Sequence, residues 1–299
     1  MKVLLATDGK WPSIEAQKLV TTIGDRDKIE IKVMSVAGFD AALQEGERTE
    51  GRFSPEAGRK HALEIIDRTV AELIASGFRA SGHLTEGDPP LDILHEIERG
   101  WHELTILGAG SASWIGQILL GSVSNNVLHA SPTSVLIVHE SPADDAGQVL
   151  LGSDGSRGAE FALRTFIGFA DPHRVRVRVT SVMKPEEGVA VISEPPSRRF
   201  LAERRTESQL LQEVESNVDR AMRTLGDAGF RCKGDVRVGH PAEQLLKQAE
   251  GEGSDLVVVG SRGLGSVQRV VLGSVSDKVA RHARAALVGR RLVVGEDVL

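Results

Sequence analysis

Between Gly260 and Ser274 the chain reads GSRGLGSVQRVVLGS, a Gly-x2-Gly-x9-Gly-Ser spacing with one further glycine at 265. The run LVVV precedes it and VSDKVARHA follows, so the segment joins a strand to a helix. Gly260 closes the strand, while Gly263 and Gly265 permit positive φ and let an anion come close to the backbone. Successive N–H groups in such a loop converge into a nest for negative charge. Gly273 and Ser274 open the helix, whose first N–H groups lack internal partners and whose dipole favours an anion. Ser274 serves either as N-cap or as a hydroxyl donor to a phosphate, and Arg262 places a cation inside the loop. The competing reading is a turn whose glycines serve shape alone. The G-x4-G-K-[ST] and G-x-G-x2-G phosphate loops are both absent.

Internal repetition decides how often this loop occurs. KVLLATDGK (2–10) returns as QVLLGSDGS (148–156), and KVMSVA (32–37) as RVTSVM (178–183), both 146 positions later. GDPPLDIL (87–94), ELTILGAG (103–110) and LLGSVSNNV (119–127) return as GHPAEQLL, DLVVVGSR and VLGSVSDKV, each 152 positions later. Five blocks in one order mark a tandem duplication. The segment HESPADDAGQ (139–148) is the linker, which puts the boundary near residue 144 and the domains at 1–144 and 145–299.

Each half alternates short apolar runs with helical spacing. Ala62, Ile65, Ile66, Thr69, Val70 and Leu73 line one helix face, and Gly77 and Gly229 stand at helix ends as left-handed caps. Five strands are expected per half, at 2–7, 29–36, 78–86, 103–108 and 134–139, then near 148–153, 173–182, 230–238, 255–260 and 286–294. The fold class is α/β, two tandem five-stranded parallel sheets covered by helices on both faces. In such sheets ligands gather at the carboxyl ends of strands. The TDG, SDG and glycine-loop segments all follow strands.

Composition excludes several functions. The 299 residues carry a net charge of −6 and lack tyrosine, which argues against nucleic-acid coating and base stacking. No run approaches a membrane span, and the short apolar start MKVLLATDGKW is expected to be a strand rather than a targeting segment. A cytoplasmic protein is expected. The single cysteine, Cys232, leaves no intrachain disulfide and reads as a packed thiol. Nine histidines show no metal-binding spacing, so no metal site from protein ligands alone is expected. No G-x-S-x-G elbow occurs and Ser153 has no spaced histidine, so no catalytic residue is assigned.

The DGS after strand one, the valine closing strand two and the Gly-x2-Gly-x9-Gly-Ser loop after strand four resemble the ATP-binding branch of the universal stress protein family. The resemblance covers nearly the whole chain, once per half. It implies a Rossmann-like, adenine nucleotide α-hydrolase-like sheet of order 3-2-1-4-5 and association through the last strand. It further implies that Ser153, Asp154 and Gly155 border adenine and ribose, and that Val182 meets adenine through its backbone. Gly260, Gly263, Gly273, Ser274 and Val275 would hold ribose and phosphates, with Mg²⁺ accompanying the phosphates.

The first half keeps Thr7, Asp8, Gly9, Val36, Gly108, Gly121, Ser122 and Val123, but its loop GAGSASWIGQILLGS puts Ser111 and Ser113 where the second has glycines. Serine at positive φ costs on the order of 1 kcal/mol, so the first half is the weaker nucleotide site or a packing partner. The last strand carries Gly289, Arg290 and Arg291, and charges resist edge pairing. Either a homodimer or an intrachain pseudo-dimer is expected. Apart from Gln268, on the approach to the helix, no glutamate or glutamine falls in the loop where it would orient water, so binding with little or no ATP hydrolysis is expected. The alternative is a scaffold that binds protein partners without nucleotide. Arg198, Arg199, Arg204 and Arg205 crowd the connection before the second half's long helix, as a lid, a partner surface or a solvated loop.

Overall fold

The computed structural model describes residues 1–37, 55–110, 113–114, 117–118, 120–140, 147–184, 207–261 and 272–290. The first half runs β1 (Lys2–Ala6), α1 (Trp11–Ile23), β2 (Glu30–Ala37), α2 (Pro55–Ala75), β3 (Arg79–Glu86), α3 (Pro89–Gly100), β4 (Leu104–Gly108), the two-residue strands β5 (Ser113–Trp114) and β6 (Gln117–Ile118), α4 (Ser122–Ala130) and β7 (Ser134–Val138). The second runs β8 (Gly147–Gly152), α5 (Arg157–Phe169), β9 (Val175–Met183), α6 (Glu207–Asp227), β10 (Arg231–Val238), α7 (Pro241–Gly251), β11 (Leu256–Gly260), α8 (Ser274–His282) and β12 (Ala285–Gly289).

Ten of the described strands form one sheet of order β10-β9-β8-β11-β12-β7-β4-β1-β2-β3, and β5 pairs with β6 apart from it. Each half is therefore parallel and ordered 3-2-1-4-5, as expected. The two halves meet where β12 pairs antiparallel with β7, Ala285 opposite Val138 and Val288 opposite Val135. Pairing through the last strand thus takes place within the chain. β12 is described as far as Gly289, and Arg290 gives its N–H to the Ser134 hydroxyl at 3.1 Å; the expected continuation over 291–294 lies outside the described residues. Its guanidinium donates to the His129 and Ser131 carbonyls, at 3.1 and 2.6 Å. The charge that was expected to resist pairing lies beyond the paired stretch and ties the halves together.

Alternate side chains of the near-continuously apolar strands serve opposite faces. Val3, Leu5, Val149 and Leu151 point to one core with α1, α2, α5 and α6; Leu4, Leu150, Val257 and Val259 point to the other with α3, α4, α7 and α8. Both cores run through both halves. On α2, Ala62, Ile65, Ile66, Thr69 and Leu73 are buried as the spacing requires. Gly77 and Gly229 adopt φ of +89° and +86° after α2 and α6. The ends of α1 and α5 exchange hydrogen bonds, Asp25 N–H to Phe169 O and Asp171 N–H to Ile23 O, each 2.8 Å.

Candidate functional site

In the second half, β8, β9 and β11 end beside one another and α8 begins at the same edge of the sheet. Ser153 N–H donates to Thr180 O at 2.9 Å, which fastens the exit of β8 to β9. Asp154 Oδ1 accepts the Ser156 N–H at 3.0 Å, an Asx turn around Gly155, whose φ of +73° suits glycine. The Ser156 hydroxyl caps α5 by accepting the Ala159 N–H at 3.2 Å. Asp154 is left at the surface, held by its own turn. Val182 lies in the last turn of β9, half-buried, opposite Arg237.

Gly260 is needed for closeness. A methyl there would stand 2.4 Å from the Gly158 carbonyl carbon and 2.5 Å from the Ala159 nitrogen, so the start of α5 crosses directly over the end of β11. At the far end of the loop Gly273, not Ser274, is the N-cap of α8. Ser274 is the first helical residue and exposed, which leaves its hydroxyl to the surroundings and corrects its alternative reading as a cap. Gly273 has no side chain to cap with, so among the described residues the first-turn N–H groups of α8 receive no side-chain cap. Val275 packs half-buried on the core beneath. Arg262, Gly263, Gly265 and Gln268 fall outside the described residues, as do Arg198, Arg199, Arg204 and Arg205.

Ser276 was not anticipated. Its hydroxyl lies 3.0 Å from Ser261 O and 2.8 Å from Gly273 O, while Gly273 N–H donates to Ser261 O at 2.8 Å. The loop's entrance is thereby pinned to its exit. Ser124 repeats this in the first half, 2.9 Å from Ala109 O, with Gly121 N–H on the same carbonyl. The signal was present in the second serine of the shared block LGSVS.

The first half builds the same frame with other details. Thr7 N–H donates to Met34 O at 2.9 Å, and Gly9, at φ +72°, donates its N–H to Thr7 Oγ1 at 3.1 Å. Asp8 Oδ1 accepts both the Lys10 N–H at 3.0 Å and the Ser13 hydroxyl at 2.9 Å. Alanine 159 holds the position of Ser13 in the second half, so Asp154 has no such hydroxyl. Gly108 abuts Pro12 and Ser13 as Gly260 abuts Gly158 and Ala159. Gly121 caps α4 as Gly273 caps α8; Ser122 is exposed in the first turn, and Val123 packs on the core. Val36 lies one residue before the end of β2, opposite Thr85. The backbone of Ser113–Trp114 pairs with that of Gln117–Ile118 inside this loop.

One contrast lies beneath the strand-one turns. Ile65 of α2 covers Gly9, whereas Asn217 of α6 covers Gly155, its carboxamide oxygen 2.3 Å from where a glycine side chain would begin. Asn217 is 8% exposed. The offset of 152 that aligns the later blocks pairs these two residues.

Among the described residues no three His, Cys, Asp or Glu side chains gather as a metal site, and no helix is long and apolar enough to cross a membrane. Burial pushes the Cys232 thiol up, and its Sγ contacts Met222 O at 3.6 Å, in keeping with a packed thiol.

The model of the universal stress protein family matches residues 1–139 and again 146–288. A universal stress protein of Mycobacterium tuberculosis is 32% identical over 193 residues, 63% of this chain and 61% of its own length. The chain thus spans about three fifths of that relative. One from Methanocaldococcus jannaschii is 28% identical over 156 residues, 48% of this chain and 94% of its own. The crystal structure of a universal stress protein from Archaeoglobus fulgidus, 22% identical, covers 97% of this chain and 98% of its own with a TM-score of 0.67.

Proposed function

Since the chain belongs to the universal stress protein family, we propose that its second half binds ATP, with Mg²⁺ held through the phosphates, and that the protein is a nucleotide-liganded regulator with little or no hydrolysis. The observation that carries this reading is the uncapped start of α8, pinned through Ser276 and Ser261 beside the Asp154 turn. The first N–H groups of a helix have no partner within the helix, and at a fixed N-terminus they fit an anion without rearrangement. A hydroxyl at Ser274 adds a donor, and Arg262 in the loop adds charge.

In this reading Asp154, with Ser153 and Gly155, borders ribose and base, and Val182 offers backbone groups to adenine. Gly260, Gly263, Gly273, Ser274 and Val275 surround ribose and phosphates. Magnesium would meet phosphate oxygens rather than a protein cage. The domain boundary lies near 144, and the first half, with Ser111 and Ser113 in its loop, is the weaker site.

The test is nucleotide stoichiometry. Purified protein is incubated with Mg·ATP, desalted and denatured, and the released adenine nucleotide is counted per chain. A value near one supports the second half alone, near two both halves, and none defeats the proposal. Gly263→Val should abolish binding at the second half, because a β-branched residue resists positive φ and fills phosphate space.

A further inference from the structure

We infer that the last turn of α3 is an acid-released latch, in which protonation of the buried His102 ring lets Trp101 leave the left-handed conformation that the closed turn imposes on it. The helix closes with Trp101 N–H donating to Glu98 O at 3.4 Å and His102 N–H to Ile97 O at 3.1 Å. Trp101 stands there at φ +55° and ψ +44°, the single non-glycine residue at positive φ among the described residues. A residue with a Cβ is disfavoured in that region, and the second half places Gly253, at φ +65°, at the same position. The indole is 57% exposed, so its packing offers little in return.

The His102 ring holds this turn from inside. It is 3% exposed and packed so closely under Gly100 that a methyl there would collide with it. Its Nε2 lies 3.2 Å from Glu96 Oε1, which fixes the proton of the neutral ring on Nε2. Nδ1 is buried and has no hydrogen-bond partner among the described residues. A second proton would therefore enter at an atom without an acceptor, which is unfavourable away from water. Glu96 of α3 faces the ring and is held by Lys32 of β2 at 2.9 Å and His83 of β3 at 3.6 Å. Lys2 of β1 adds positive charge nearby, its own N–H bound to Glu103 at 3.1 Å, and β4, LTILG, carries no titratable side chain. Burial lowers the pKa of the ring against the upward pull of Glu96, and Lys32 and Lys2 lower it further. The closed turn thus binds fewer protons than an opened one, and acid favours opening. Ser254 and Gln248 replace His102 and Glu96 in the second half, so the latch belongs to the first half alone.

The experiment follows the fluorescence anisotropy of Trp101 in the full-length chain carrying Trp11→Phe and Trp114→Phe, between pH 7.5 and 5.5, with circular dichroism at each pH. Anisotropy should fall in a one-proton step with its midpoint below about 6.5 while the circular dichroism holds. His102→Gln and His102→Ser should each abolish the step, the serine variant serving where glutamine does not fold, and His83→Gln should keep it. In Trp101→Gly the ring-proton resonance of His102, followed by NMR, should titrate lower by about half a unit or more, because glycine relieves the closed turn. Constant anisotropy over this range, a step that persists in a folded His102 variant, or one that vanishes in His83→Gln overturns the latch. An unshifted His102 midpoint in Trp101→Gly overturns the part assigned to the left-handed residue.

Discussion

Leu287 lies opposite Leu136 where β12 and β7 pair antiparallel, and both are fully buried. The contact makes one core of two repeats, because Leu136 and Leu287 belong to the same apolar cluster as Val3 and Val149. Leu287→Ala should destabilise by about 2–5 kcal/mol through lost burial and the cavity left behind. All three tryptophans, Trp11, Trp101 and Trp114, lie in the first half. Urea unfolding followed by tryptophan emission should therefore report a shifted midpoint for a substitution made in the second half. An unshifted emission midpoint, with a shifted circular dichroism transition, would show that the halves unfold independently.

Gly260 and Gly108 occupy equivalent crossings, each with backbone atoms of the helix that follows the first strand of its half, α5 and α1, within 2.6 Å of an added methyl at its nearest. Backbone cannot swing aside as a side chain does, so Gly260→Ala and Gly108→Ala should each cost about 1–3 kcal/mol or more by overpacking. Their effects on ligand separate. Gly260→Ala displaces α5 from the candidate site and should weaken Mg·ATP binding at least tenfold, whereas Gly108→Ala should change it less than threefold. Equal losses of affinity would argue against assigning the site to the second half.

Acid should weaken the fold in two steps. Burial lowers the pKa of His139, against a partial upward pull from its bond to Ala280 O, which accepts from Nε2 at 2.9 Å. Burial likewise lowers that of His102, whose Nε2 meets Glu96 at 3.2 Å. The unfolded chain binds more protons than the folded one between the lowered values and an unfolded value of about 6.5, so stability falls as pH drops through that window. Glu96 acts lower down. Burial raises its pKa, but Lys32 at 2.9 Å and His102 outweigh that, and the net shift is downward. Its contribution is present above about 4.5 and disappears as pH falls through its folded value. Urea midpoints should therefore decline from pH 7.5 to 5.5, and His139→Gln should flatten the decline. An unchanged slope in that variant would exclude His139 as a contributor.

The repeat carried most of the architecture into view before any coordinate did. Apolar runs such as LVVV and SVLIV set the strands, and the helix spacing from Ala62 to Leu73 set the buried face of α2. What escaped depended on partners distant in the chain. Whether β12 would pair could not be judged from Arg290 alone, because its guanidinium donates to carbonyls at 129 and 131, some 160 residues earlier. Ser124 and Ser276 look like ordinary helix serines until the carbonyls at 109 and 261 are brought beside them. Asn217 is similar: its sequence context SNVDR reads as a solvated helix, and only Gly155 packed against it shows the amide to be buried.

The serine brace separates shape from binding. Ser276 holds Ser261 O and the start of α8 in one geometry, and Ser124 holds Ala109 O and α4 in the same one. Removing either hydroxyl leaves the carbonyl its bond from Gly273 or Gly121 N–H, so each alanine variant should lose only about 1 kcal/mol of stability. The consequence for a ligand differs, because phosphate binding at α8 depends on N–H groups already in place, and loosening the brace restores an ordering cost. Ser276→Ala should lower Mg·ATP affinity by about three- to tenfold, and Ser124→Ala should leave it unaltered. Calorimetry on the two variants, beside thermal melts to match their stabilities, checks this. Equal affinities at matched stability would mean that the brace maintains the turn alone and that ligand binding owes nothing to it.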